Sequence, residues 1–381
     1  MRDIGRFLAV AFALVAWGCG GGDPAGPNAD AAGPARLNMS LASHLDLGTL
    51  SAAARVEHDE PLVITGAVSG SGNWGYTSPQ GRRFALTGTS AGLSIVEVTD
   101  PQHARPVALV AGEASQWREV KTYRNYAYVT TEAKTGLDIV DLSDVDHPRK
   151  VRTWNRTFKS AHTLWVDEKR DLLFANGTGL DQGNQNGMRV LSLKPDPENP
   201  REVGSFDDYY IHDSFTRGNT LYASAIYDGF ESLLDVSDPT RIREITRFYT
   251  GGRFTHSSAM TRDGRHLFTT DERAGRPLEG WDISDPISPR KAAEFIARPG
   301  TIPHNVMVDG DRLLVSHYTE GVYLLDIRDP ARPQVMGYYD TLESPATGFQ
   351  GAWGAYIFPG SNTIVVSDIN GGLFVVTYTG S

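Results

Sequence analysis

Only one cysteine, Cys19, occurs in the 381 residues, so the chain can form neither an internal disulfide framework nor a thiolate metal cluster. Positive charge is short as well: 36 Lys and Arg stand against 46 Asp and Glu, for a net charge of −10. With no stripe of basic residues anywhere along the chain, nucleic acid is not an expected partner. Long apolar runs are missing apart from Phe7 to Trp17, which is shorter than the ~20 residues a spanning helix needs. No P-loop, GxGxxG, GxSxG or HExxH stands in the strand-turn-helix context its chemistry requires. The SGSG at Ser69 to Gly72 reads as a turn.

What is there begins with an export signal. Arg2 and Arg6 form a charged head, the apolar run follows, and the small residue Gly18 precedes Cys19. This is the layout of a cleaved secretion signal over residues 1–18. The segment resembles a bacterial lipobox, with Ala16 where Leu is usual, and a lipobox implies that Cys19 is acylated and becomes the first residue of the mature protein. Gly20 in place of Asp points to the outer membrane, so the expected location is the cell envelope, as an outer-membrane lipoprotein or at the cell surface or periplasm. Residues 19–36 are rich in Gly, Pro, Ala, Asn and Asp and read as a tether. Residues 37–60 are apolar enough to pack as a strap or short helix but show no clear strand period.

From Pro61 onward the composition is uniform and the chain repeats. The unit is clearest from Ile302 to Asp340, where four short β-rich runs are separated by turn residues: Asn305 to Val308, Leu313 to Ser316, Val322 to Ile327 and Gln334 to Tyr338. That is a four-stranded meander. Aligned copies begin at Trp74, Arg118, His162, His212, His256, His304 and Trp353, at spacings of 44 to 50 residues. Third strands agree with one another (GLSIVEV, GLDIVDL, GMRVLSL, SLLDV, GWDI, GVYLLDI, GLFVV), and Asp-Pro turns follow five of them. A unit of this size cannot bury both faces alone, whereas seven in a ring can. The fold class is therefore all-β: a seven-bladed β-propeller of four-stranded antiparallel blades over residues 61–381. The last copy supplies only three strands, so an N-terminal strand, taken as Pro61 to Val68, is expected to close the seventh blade and remove the open edge.

First strands of propeller blades line the channel, so residues heading them converge. Four consecutive blades present His at the head: His162, His212, His256 and His304. Imidazole is the commonest metal-ligating side chain, and this set suits one transition-metal ion, Cu, Fe or Zn. The plainer reading is a solvated polar ring too wide for shared coordination. Asp213, Asp271 and Glu272 lie close by in sequence and could orient the imidazoles or address a substrate; Glu132 and Asp368 end second strands in other blades. Arg118 and Glu119, where the histidine run stops, could pair with each other or take an anionic substrate. His103 and His147 fall in turns and read as surface residues.

The segments NWGYTSPQGRRFALTGTSAGLSIVEVTDP (from Asn73), QWREVKTYRNYAYVTTE (from Gln116), YIHDS (from Tyr210), TTDE (from Thr269), PHNVMV (from Pro303) and GAWGAYIFPGSNTIVVSDINGGLFVV (from Gly351) resemble the choice-of-anchor B family, which carries LVIVD-type repeats. The resemblance implies an exported propeller and no settled activity. In plan, a propeller with channel histidines is also similar to selenium-binding proteins and carotenoid oxygenases. Two functions follow as expectations. One is a membrane-anchored, monomeric surface propeller binding an unidentified protein or small molecule. The other is a metalloenzyme, oxidative or hydrolytic, built on the channel histidines.

Overall fold

In a computed structural model, which describes residues 35–52, 55–56, 68–178, 187–343 and 346–380, strands gather into seven antiparallel sheets in chain order. Residues 70–111 form blade 1, 120–154 blade 2, 163–206 blade 3, 213–249 blade 4, 255–295 blade 5 and 306–339 blade 6. Blade 7 takes its three inner strands, Ala352–Ile357, Thr363–Asp368 and Gly372–Tyr378, from the end of the chain. Each first strand touches the first strands of both neighbouring blades, so seven of them close around one axis. Residues from Pro34 to Ser381 make one unit.

Local chemistry explains why the strands stop where they do. After the third strand, Asp100, Asp196, Asp238, Asp285 and Asp329 each accept the amide two residues on, at 3.0 to 3.3 Å. These are Asx turns, with the following Pro fixing φ. Third and fourth strands slip register by one residue in each of blades 1 to 6, for example at Ile139/Val140 and Leu324/Leu325. A bulge of this kind increases twist, which a radial stack of sheets needs. Between blades the core alternates in the ordinary way: Tyr128, Ile139, Leu164, Leu173 and Leu191 pack blade 2 on blade 3, all buried. Gly321 opens its third strand at φ 72°, where a Cβ would lie 2.0 Å from the Tyr339 carbonyl.

Ring closure corrects the sequence reading. The outer strand of blade 7 is Met39–Leu45, paired antiparallel with Gly372–Tyr378 from Met39 opposite Tyr378 to Leu45 opposite Leu373. That place was expected for Pro61 to Val68, of which residues 61–67 lie outside the described residues. The strand period was hidden because a bulge between Leu41 and Ser43 breaks it, leaving Leu41 exposed while Met39 and Leu45 are buried. The segment does more than close one blade. Arg36–Leu37 adds to the outer edge of blade 6, and Arg55–Val56 runs parallel to Arg105–Ala111 of blade 1. Between them the helix Leu47–Ala52 buries Leu50 completely.

The SGSG sequence is also not a turn. Gly70–Thr77 is the first strand of blade 1, and the small residues are required by close neighbours. A Cβ on Gly70 would lie 2.3 Å from the Asp368 carbonyl, and one on Gly72 would lie 2.4 Å from the Glu119 carboxyl. The register of blade 1 shifts accordingly. His256 and Trp353 sit in the bulges of their first strands, whereas in blade 1 the bulge falls at Ser71 and Gly72, and Trp74 pairs with Leu86 beyond it.

Candidate functional site

The four histidines follow one another around the channel. His162 and His212 immediately precede Thr163–Asp167 and Asp213–Arg217, His256 lies within Thr255–Met260, and His304 stands two residues before Val306–Asp309. Ring centroids are 4.3 Å apart between His162 and His212, 4.2 Å between His212 and His256, and 4.2 Å between His256 and His304. The arc continues from His304 to Trp353 at 4.3 Å, and Trp117 stacks on Trp353 at 4.2 Å.

Hydroxyls of second strands hold the head backbones in place: Thr130 donates to the His162 carbonyl at 3.1 Å, and Ser316 to that of Trp353 at 2.8 Å. Two of the head side chains then bond to the next head. His212 Nδ1 donates to the His256 carbonyl at 3.1 Å, and His304 Nδ1 donates to the Trp353 carbonyl. A carbonyl only accepts, so these rings carry the proton on Nδ1 and present a bare Nε2. His162 Nδ1 faces Glu132 Oε1 at 2.6 Å, the carboxylate partnership that orients an imidazole and raises its basicity.

One part of the arc closes around a common point. Glu272, just past the second strand of blade 5, has Oε1 3.7 Å from His304 Nε2 and Oε2 3.9 Å from His256 Nε2. One ligand atom from each of the three lies within 4.8 Å of the other two, and no other such group occurs among the described residues. His304 is fully buried and its Nε2 has no hydrogen-bond partner. Tyr318 donates to Glu272 Oε1 at 2.6 Å and so helps fix the carboxylate. Ligand atoms about 2.1 Å from a tetrahedral ion stand about 3.4 Å apart, so atoms that lie within 4.8 Å of one another here must close by up to about 1.4 Å to share an ion.

Electrostatics separate the arc into two halves. Burial, with the neighbouring imidazoles His304, His212 and His162 adding to it, holds His256 well below its ordinary value; His304 is pushed down to about 3 by burial. His212 lies well below for the same reason, with the charge of His162 adding to burial. These three are neutral, as metal ligands must be. His162 is the opposite case. Burial lowers it, but the hydrogen bond and charge of Glu132, with Glu119 and Glu272 behind, outweigh burial and raise it. Glu272 is raised by burial, partly offset by the Tyr318 hydrogen bond.

The remaining sequence candidates lie elsewhere in the channel or turn away from it. Asp213 is raised to about 6 by burial, and its charged neighbours are Lys121 and Glu119. Glu119 accepts from Trp353 Nε1 at 3.2 Å and lies 3.7 Å from Lys121 Nζ. Arg118 is buried with its guanidinium on the backbone carbonyls of Thr89, at 2.9 Å, and Glu113, so it pairs neither with Glu119 nor with the channel. Asp271 accepts from the amides of Gly252 and Phe254 at 2.7 Å and from Thr250 at 2.6 Å, which fixes the loop leading into His256. Asp368 serves its own turn, accepting from Asn370 and Gly371. His103 and His147 are exposed and bonded to Asp100 and Asp144. Cys19 lies outside the described residues.

Sequence reasoning missed Tyr318 and Lys121, for which no repeat position gives a signal. The signal for Glu132 and Glu272 was there: both end second strands in the blades just before a histidine head, at TTE and TTDE.

Residues 112–155 and 303–341 match the LVIVD repeat. The chain carries LVIVD repeats. The second match covers blade 6 from His304 through its fourth strand, and the first covers blade 2, whose head is Arg118. No curated protein matches the chain. A crystal structure from Bacteroides fragilis NCTC 9343, described as that of a candidate 6-phosphogluconolactonase, is similar in fold at 12% identity and a TM-score of 0.56. The alignment covers 81% of this chain and 89% of that one.

Proposed function

We propose that this LVIVD-repeat propeller is an exported, lipid-anchored protein whose channel binds one transition-metal ion through His256, His304 and Glu272, and that the ion makes the channel a binding or catalytic site for a small molecule. The observation that carries the reading is the buried, unpartnered Nε2 of His304 beside the Glu272 carboxylate, with His256 Nε2 on the carboxylate's other oxygen. A buried polar atom without a partner costs on the order of 1–3 kcal/mol, and a shared ion removes that cost. Two neutral imidazoles and one carboxylate suit Zn or Fe(II) better than Cu, and three protein ligands leave coordination positions open for water or substrate. Structural metal sites are closed, so an open one favours activity on a ligand over a purely architectural role. Anchoring through Cys19 places this site on the envelope and rests on the lipobox alone.

The test is metal content. Protein stripped with chelator and reloaded should retain about one equivalent of Zn(II) or Co(II) through desalting. His304→Ala and His256→Ala should lose it, and His103→Ala should keep it. If His304→Ala retains as much metal as wild type, the site is elsewhere and the reading fails.

A further inference from the structure

The two most exposed aromatic rings among the described residues, Tyr227 at 72% and Phe349 at 61% relative exposure, are each linked to the three-residue cluster. They reach the cluster from opposite sides through two short chains of rings. On one side Tyr227 lies 4.9 Å from Tyr210, whose ring is 6.4 Å from that of His212, and 6.4 Å from Phe254, two residues ahead of His256. On the other side Phe349 lies 5.4 Å from Tyr318, which is 4.6 Å from the His304 ring and donates its hydroxyl to Glu272.

Large exposed rings linked to a cluster of ligating side chains mark a binding site more often than chance surface. Their angles say what they would hold. Tyr227 meets Tyr210 at 51° and Phe254 at 74°, and Phe349 meets Tyr318 at 87°, so the exposed rings and their neighbours form no single flat platform. A flat aromatic guest satisfies such a frame by edge-to-face and offset contacts, whereas a saturated sugar ring wants a single flat platform. With only three protein ligands, a bound ion would have coordination positions free for oxygen donors. Arg273, stacked 4.7 Å over Phe254, adds positive charge at the rim and favours an anionic guest.

Resting on the metal reading above, we propose that the site takes small catechol-type molecules: an aromatic ring held among Tyr227, Phe254 and Phe349, with two neighbouring ring oxygens on the ion. The guest's ring meets the exposed rings, and its paired oxygens supply what the three protein ligands leave open.

The experiment uses the full chain loaded with Co(II), whose visible spectrum reports changes in coordination, titrated with catechol and, separately, with cis-cyclohexane-1,2-diol. Catechol should bind and shift the cobalt spectrum while the cobalt stays with the protein on desalting; the saturated diol, with the same oxygens and no ring, should bind at least tenfold more weakly. Tyr227→Ala and Phe349→Ala should each weaken catechol roughly 3- to 30-fold, the range expected for one aromatic contact and its buried area, with cobalt affinity unchanged. Cobalt retained but catechol unbound overturns this proposal and leaves the metal reading standing. Equal binding of the saturated diol, or rim variants that bind catechol as wild type does, overturns the role given to the rings. No cobalt retained removes both readings together.

Discussion

Glu231 offers the sharpest quantitative test of the packing between blades 4 and 5. It is fully buried, with Ser224 donating to Oε2 at 2.8 Å and Ser258, from the first strand of blade 5, to Oε1 at 2.7 Å. Burial moves its carboxyl from 4.5 up to about 8; the two serines pull it back and the nearby charge of Asp213 adds to the rise. Between those values the folded protein holds a proton that the unfolded chain has released, so stability falls as pH rises through the window and is highest below it. At 1.36 kcal/mol per unit, Glu231 costs little at pH 5 and on the order of 4 kcal/mol at pH 8. Glu231→Gln keeps the shape and one good acceptor but cannot ionise. The two proteins should therefore unfold at nearly the same temperature at pH 5 and diverge by on the order of 3 kcal/mol by pH 8, a shift of roughly 4 °C. Thermal unfolding followed by near-ultraviolet circular dichroism measures it. Curves for the two proteins that stay parallel from pH 5 to 8 would refute the argument, because a carboxylate ionised in both states adds no slope.

Three further outcomes are expected. Leu45→Ala, in the strand that closes blade 7, should cost about 2–4 kcal/mol, while Leu41→Ala in the same strand should cost under about 0.5 kcal/mol; equal effects in urea unfolding would place ring closure elsewhere. Glu132→Gln should lower the titration midpoint of His162 followed by proton NMR. His162 is raised in the folded state, so the pair stabilises the protein below the ordinary histidine value of 6.5 and that contribution disappears as pH rises through the folded value; an unchanged midpoint would show that Glu132 is not what raises it. Cys19→Ser should abolish incorporation of labelled fatty acid, and retained label would remove the anchoring proposal.

The ring could be read from the chain because a propeller is nearly one-dimensional. Each blade is a local meander whose strands, turns and hydrophobic alternation repeat within 44 to 50 residues, so strand pairing needs no distant information. The Asx turns at Asp100, Asp196, Asp238, Asp285 and Asp329 lie where the Asp-Pro pairs put them. Register in the first strands was legible as well, and it brought His162, His212, His256 and His304 to one arc.

Everything that depends on partners far apart in sequence was decided by the tertiary structure. Met39–Leu45 closes a sheet whose other strands come from the opposite end of the chain, and its bulge erased the alternation that would have announced it. Equivalent heads had different fates because their neighbours differ: Arg118 is captured by the carbonyls of Thr89 and Glu113, while His256 and His304 meet across Glu272. The sequence by itself determined which residues head blades 2 to 7, since a repeat fixes register along the chain, whereas in blade 1 Ser71 and Gly72 stand where Trp74 was expected. Only packing around the axis could choose which of those heads come within reach of one carboxylate, because that choice depends on distances of a few ångströms between blades joined by no shared strand.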